Sequence, residues 1–226
     1  MSGDTILFAV LPYVAVVIGV GYGILRYRQN RFSYSTLSSE LLDKRSLFWG
    51  SVPWHYAITV ILLAHIVAFL IPGVWSQIIA APAALYSFEV VGFAIGLLSI
   101  FGIVWLIWRR LTRPRVLAVS SVMDWVLLAD LLLQVALGFW VSLVYRWGAD
   151  WYVHTSVPWL QSLVMLNPQT HFVTSLPWPA KLHLLNGFVL IALFPFTRLV
   201  HLVALPFWYL WRPYQVVVRN RARPTP

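Results

Sequence analysis

The sequence contains no cysteine among its 226 residues, and charged side chains make up only 10% of it. Without cysteine the chain can form no disulfide, ligate no iron–sulfur cluster and attach no haem covalently through a C-x-x-C-H motif. Soluble domains are about a quarter charged, so a soluble globular class is excluded. Hydrophobic residues make up 60% of the chain, and several apolar stretches approach the roughly 20 residues that a bilayer-spanning helix needs. The composition therefore predicts an all-α integral membrane protein.

Five apolar stretches predict a bundle of five transmembrane helices that forms a single domain over residues 1–226. Their expected bounds are about 5–25, 52–71, 88–108, 122–145 and 182–205. Only Asp4 is charged before the first stretch, which therefore lacks the positive n-region of a signal peptide and is expected to stay in the mature protein.

The basic residues predict how this bundle is oriented. Thirteen of the 16 lysines and arginines follow the first span, follow the third span or lie in the tail 212–226. Because Lys and Arg concentrate in cytoplasmic loops, we expect the N-terminus outside and the C-terminus in the cytoplasm. The net charge of +9 thus reflects topology rather than nucleic-acid binding, and the same clusters could dock a cytoplasmic partner.

Four histidines lie in two of the predicted spans: His55 and His65 in the second, His183 and His201 in the fifth. Ionisable residues within a membrane span are functional candidates because they are costly in hydrocarbon without a partner. The two spans run in opposite directions, so His55 and His201 are expected near the cytoplasmic face and His65 and His183 in the outer half. Bis-histidine ligation between bundle helices is a usual way to hold b-type haem. The pattern therefore predicts two haem sites at two depths.

The two histidine spacings do not match along a straight helix. Ten residues rise about 15 Å and 18 residues about 27 Å, which leaves a difference of about 12 Å. Helix tilt, leaning haems or a kink at Pro195 must absorb this difference.

The alternative for any single histidine is a polar side chain bonded to a backbone carbonyl. His154 and His171 have no spaced partners and are expected to be surface histidines.

Three motifs carry a resemblance to a known family: SSELLDKR before the second span, RRLTRPR after the third, and KLHLLNGFVLIALFPFTRLVH in the fifth. With the histidine pairs, they make the chain resemble the gamma (cytochrome b) subunit of membrane-bound respiratory nitrate reductase. The resemblance covers nearly the whole chain and is weakest over residues 147–180.

The resemblance implies a multi-pass electron-transport subunit of anaerobic respiration, in the cytoplasmic (inner) membrane of a bacterium or archaeon. Such a subunit oxidises quinol near the outer face and holds two b haems. It passes electrons to an iron–sulfur beta subunit, which feeds a molybdenum alpha subunit that reduces nitrate in the cytoplasm. By resemblance, His65 and His183 hold the distal haem, and His55 and His201 the proximal one.

The chain departs from the resemblance between the second and third spans. Well-known members carry a lysine there, close to the quinol, whereas residues 76–89 contain none. A hydrogen-bond donor near the quinol oxygen would help the loss of its protons. Tyr86, Ser87 or His65 could supply it, and we expect Ala64, His65 and Tyr86 to line the quinol pocket.

Three charged residues have alternative interpretations. Arg198 could pair with a carboxylate of the inner haem or extend to the cytoplasmic interface. Asp124 is expected near a helix N-terminus. Asp130 lies deeper and needs a partner, either within the bundle or along a proton path.

Two other functions stay open at this point. The chain could be a dihaem b subunit of another quinone-coupled complex, such as a formate dehydrogenase, a hydrogenase or a sulfur-cycle enzyme. It could also be a haem-free membrane anchor.

Overall fold

The computed structural model describes residues 3–30 and 44–203, and over these residues the chain is helical, with no strand. The helices are α1 Gly3–Gln29, α2 Lys44–Leu70, α3 Pro72–Ile79, α4 Pro82–Thr112, α5 Pro114–Leu117, α6 Val122–Val144, α7 Gly148–His154, α8 Ser156–Val164, α9 His171–Thr174 and α10 Trp178–Leu193. Two segments of α1, Ile6–Val10 and Val17–Tyr22, are π-helical.

Five of these helices are long and apolar enough to cross a membrane: α1, α2, α4, α6 and the helix that begins at Trp178. The predicted all-α, multi-pass architecture with five spans is confirmed for the described part of the chain. The orientation of the termini stays a prediction, and the basic tail 212–226 lies outside the described residues.

The predicted bounds of the fifth span are wrong. A continuous helix over 182–205 was expected, but the α-helix begins at Trp178 and ends at Leu193. A 3₁₀ turn follows over Phe194–Phe196, Thr197 is extended with φ −118° and ψ −178°, and a second 3₁₀ turn covers Arg198–Leu202. Pro195 has no N–H to continue the α-helical hydrogen bonds, so the predicted disturbance at Pro195 is confirmed.

The packing order of the spanning helices is α2, α4, α6, α10 and α1. A buried cluster of Trp54, Ile103, Leu128 and Val135 joins α2, α4 and α6. Gly102 allows the close approach of α4 to α2, because a Cβ there would lie 2.7 Å from the backbone nitrogen of Trp54. Within the described residues, α2 makes at most sparse contact with α10.

The segment between α6 and α10 folds into short helices that cover one end of the bundle. The Trp159 indole of α8 is fully buried, donates to the Phe8 carbonyl at 2.9 Å and packs edge-on against the Phe8 ring. The Trp75 indole of α3 donates to the Ala149 carbonyl at 3.2 Å. These contacts fix α8 against α1 and α7 against α3.

Candidate functional site

The two members of the inner histidine pair lie next to each other. The ring centroids of His55 on α2 and His201 on the second 3₁₀ turn are 6.0 Å apart, with an angle of 72° between the ring planes. His55 also lines a cleft of about 420 Å³ together with Ser51, Val52, Tyr56, Thr59 and Val60. The break after Leu193 brings His201 back to the depth of His55, and so absorbs the mismatch between the two spacings.

The outer pair is also brought together, between α2 and α10. His65 and His183 are close enough for an electrostatic interaction between their rings. The His183 ring lies against Gly138 of α6, where a Cβ would be only 2.8 Å from its Cε1 atom. Because Gly138 has no side chain, the His183 ring can occupy this space. The rings of His55 and His201 are thus in contact, and His183 lies near enough to His65 for an electrostatic influence. The role of the four histidines as haem ligands stays a prediction.

All four rings are oriented in the same way by the backbone. Each Nδ1 atom lies within hydrogen-bond distance of a carbonyl oxygen: Ser51 for His55 (2.7 Å), Ile61 for His65 (2.8 Å), Gln134 for His183 (3.0 Å) and Arg198 for His201 (2.6 Å). A carbonyl can only accept, so Nδ1 carries the hydrogen in each bond. This leaves Nε2 available in each ring, in the arrangement that metal-binding histidines commonly show.

These residues fit a haem better than a metal ion held by protein alone. Among the described residues, no cluster of three or more His, Asp or Glu side chains could hold an ion. Haem iron needs only axial protein ligands. His55 and His201 lie next to each other with an imidazole on each side, so they would be the residues to hold such a group at the inner position. His154 belongs to neither histidine pair, since its exposed ring lies 3.7 Å from the Asp150 carboxylate.

The predicted quinol-site residues do not all fall in one place. Ala64 packs against the buried cluster of Ala68, Trp75, Ile79 and Val153. Tyr86 is 59% exposed and its ring contacts Trp147. Ser87 donates to the Ala83 carbonyl of its own helix at 2.8 Å. Their roles toward a quinol stay predictions.

Tyr152 is a neighbour of His65 that sequence reasoning missed. Its ring packs edge-on against the His65 ring at 5.1 Å, and its hydroxyl lies 3.5 Å from the His65 carbonyl oxygen. Burial raises the pKa of Tyr152 to about 12, so the hydroxyl stays protonated near neutral pH and can donate a hydrogen bond. The residue comes from α7, in the segment of weakest resemblance, and no local spacing pointed to it.

The charged residues near the inner pair form a network. The Arg198 guanidinium binds both carboxylate oxygens of Asp124, and Arg110 reaches the same carboxylate at 3.5 Å. Asp124 also closes a capping box with Ser121, so its predicted place at a helix N-terminus is confirmed. The expected contact of Arg198 with a haem carboxylate stays a prediction.

Polar side chains on α6 form a second network beside the outer pair. The Asn186 amide donates to the Gln134 side-chain oxygen at 2.9 Å and to the Asp130 carbonyl at 3.2 Å. Asp130, Gln134 and Gly138 recur every four residues and so share one face of α6, a signal that could have placed them near His183. Asp130 takes part in this network through its main-chain carbonyl, while its carboxylate Oδ2 is buried and makes no hydrogen bond within the described residues. A role of Asp130 in a proton path stays a prediction.

The fold and its paired histidines define a multi-pass helical membrane protein with two candidate cofactor sites. The family model for the nitrate reductase gamma subunit matches residues 4–221. The nitrate reductase gamma chain of Bacillus subtilis (strain 168) is 33% identical over 225 residues, which are 98% of this chain and 100% of the relative. The respiratory nitrate reductase 2 gamma chain of Escherichia coli (strain K12) is 31% identical over 223 residues, 96% of this chain and 98% of the relative.

A third relative is longer than this chain. The nitrate reductase-like protein NarX of Mycobacterium tuberculosis (strain ATCC 25618 / H37Rv) is 32% identical over 226 residues, which are 98% of this chain but only 34% of that protein. The chain belongs to the nitrate reductase gamma subunit family.

Proposed function

We propose that this chain is the quinol-oxidising cytochrome b subunit of a nitrate reductase complex. It takes electrons from quinol near the outer membrane face and delivers them to a cytoplasmic iron–sulfur subunit. A molybdenum subunit then reduces nitrate, so this chain performs no nitrate chemistry itself. When bound, two b haems would supply one-electron carriers at two depths of the membrane.

The orientation of the four histidines supports this proposal most directly. Each Nδ1 is engaged by a backbone carbonyl, which leaves Nε2 available, and the inner rings lie next to each other. A histidine that merely satisfies its own polarity would have no reason to lie beside a second one with the same orientation. His55 and His201 are therefore assigned to the inner haem, and His65 and His183 to the outer one.

Optical spectra of the purified complex test the proposal. A reduced-minus-oxidised spectrum should show b-type absorption with about two haems per chain. Absence of b-type absorption would leave only a haem-free membrane anchor. Identification of the copurifying cytoplasmic subunits separates a nitrate reductase from another quinone-coupled complex.

The pairing is tested by single substitutions. His65→Ala and His183→Ala should remove the same haem, because each leaves the iron with one axial ligand. His55→Ala and His201→Ala should both remove the other haem. His154→Ala is the matched control, since this histidine is exposed and pairs with Asp150, and both haems should remain. Loss of different haems from His65→Ala and His183→Ala would contradict the assignment.

A further inference from the structure

His201 lies on a segment that follows the end of the α-helix and is not α-helical itself. The α-helix ends at Leu193, and the extended Thr197 separates the two 3₁₀ turns that follow. The His201 ring is tied within its own turn by the bond from Nδ1 to the Arg198 carbonyl. The position of this ring relative to His55 therefore depends on what fixes the turn itself.

Two arginines tie the segment after Leu193 to other helices. Arg198 belongs to the turn and grips Asp124 of α6 at two points, with Nε on Oδ1 at 2.5 Å and an Nη atom on Oδ2 at 3.0 Å. The planar guanidinium makes such a two-point bond directional, which a single ammonium group cannot reproduce. Arg26 of α1 donates to the carbonyl of Pro195, at the break itself. The second 3₁₀ turn is thus attached to α6, and the first 3₁₀ turn before it is attached to α1.

The carboxylate at the centre of this arrangement is itself held in place. Asp124 is only 4% exposed, and its Oδ2 also accepts the Ser121 backbone N–H at 3.0 Å in the capping box. Arg110 of α4 approaches the same oxygen at 3.5 Å. Without this buried negative charge, less of the positive charge of Arg110 and Arg198 would be neutralised. The second 3₁₀ turn would then lose its fixed position.

We propose that Asp124 and Arg198 are positioning residues for His201, and that their two-point bond holds its ring opposite His55. This inference rests on the proposed function, in which His55 and His201 are the axial ligands of the inner haem. The pair acts through His201, by way of the bond from Nδ1 to the Arg198 carbonyl. The Asp124–Arg198 pair thereby sets how firmly the inner haem is held, and it also sets the reduction potential of that haem.

The test uses the intact complex with Asp124→Asn, which removes the charge and keeps the shape. Residues that orient a ligand typically affect retention of the bound group by about tenfold to a hundredfold. The haem content should fall from about two to about one per chain, and the remaining haem should match that of the His201→Ala variant in spectrum and potential. Asp150→Asn, which removes an exposed carboxylate paired with His154, should keep both haems unchanged.

Arg198→Lys provides the second variant, since it keeps the charge and loses the two-point bond. Both haems should remain, with a shift in potential confined to the inner haem. Two haems at wild-type potentials in both variants would overturn the inference while leaving the proposed function intact. Loss of both haems from both variants would also overturn it, because the role would then be general folding. Absence of haem from the wild-type complex would instead refute the proposed function.

Discussion

Substitution of Gly138 by alanine places one methyl group against the His183 ring. The added Cβ would lie 2.8 Å from Cε1, 3.3 Å from Nδ1 and 3.4 Å from Nε2. The first distance is about 0.7 Å short of the roughly 3.5 Å at which two carbons attract each other. Because α6 cannot retreat without disturbing its other contacts, the imidazole has to move, and the 3.0 Å bond from Nδ1 to the Gln134 carbonyl must lengthen or break.

Two effects of opposite sign decide how much Gly138→Ala changes the stability of the bundle. Alanine is better than glycine in a helix interior by up to about 1 kcal/mol. Overpacking of a well-filled site costs about 1–3 kcal/mol. We therefore expect little net change in the stability of the bundle, but a weakened or lost outer haem. Redox titration of the reduced-minus-oxidised spectrum should show one altered haem, the same one that His183→Ala removes.

The matched control is Gly92→Ala in α4, where an added Cβ would meet nothing within 4 Å. This variant should keep both haems at wild-type potentials. If Gly138→Ala gives the same spectra and potentials as Gly92→Ala, the ring does not need the space beside Gly138, and the placement of His183 is refuted.

Two further predictions concern the outer end of the bundle. Tyr152→Ala should lower the potential of the outer haem by on the order of tens of millivolts, since water near a haem favours its oxidised form. Tyr152→Phe keeps the ring against His65 and should change that potential far less. Equal shifts in the two variants would contradict a role of the Tyr152 ring in excluding water. Trp159→Ala should destabilise the chain by about 3–5 kcal/mol, because a fully buried indole is lost. Thermal unfolding in detergent measures this, with Trp159→Phe as the milder control; equal melting temperatures of Trp159→Ala and wild type would contradict the packing.

Local signals in the sequence were sufficient for the spans and for the histidines. Hydrophobic length identified five helices, and the cost of an imidazole in hydrocarbon singled out His55, His65, His183 and His201. Antiparallel chain direction alone then gave the two pairs that the structure brings together. The end of the last helix could not be read from hydropathy alone, because apolar residues continue on both sides of Pro195.

The remaining parts of the site depend on residues distant in sequence. Tyr152 reaches His65 across 87 residues, and Arg198 reaches Asp124 across 74. No periodicity within one helix encodes such contacts. Pro195 ends the α-helix locally, but the placement of the segment that follows depends on the distant ties to Arg26 and Asp124.

The sequence by itself determined that this chain is a five-span membrane bundle with four histidines at two depths, because hydropathy and helical period act over neighbouring residues. Only the tertiary structure decided where the last helix stops, which side chains surround each ring and which nitrogen each ring leaves available. Those features arise from contacts between helices, whose relative placement is set by the packing of the whole bundle.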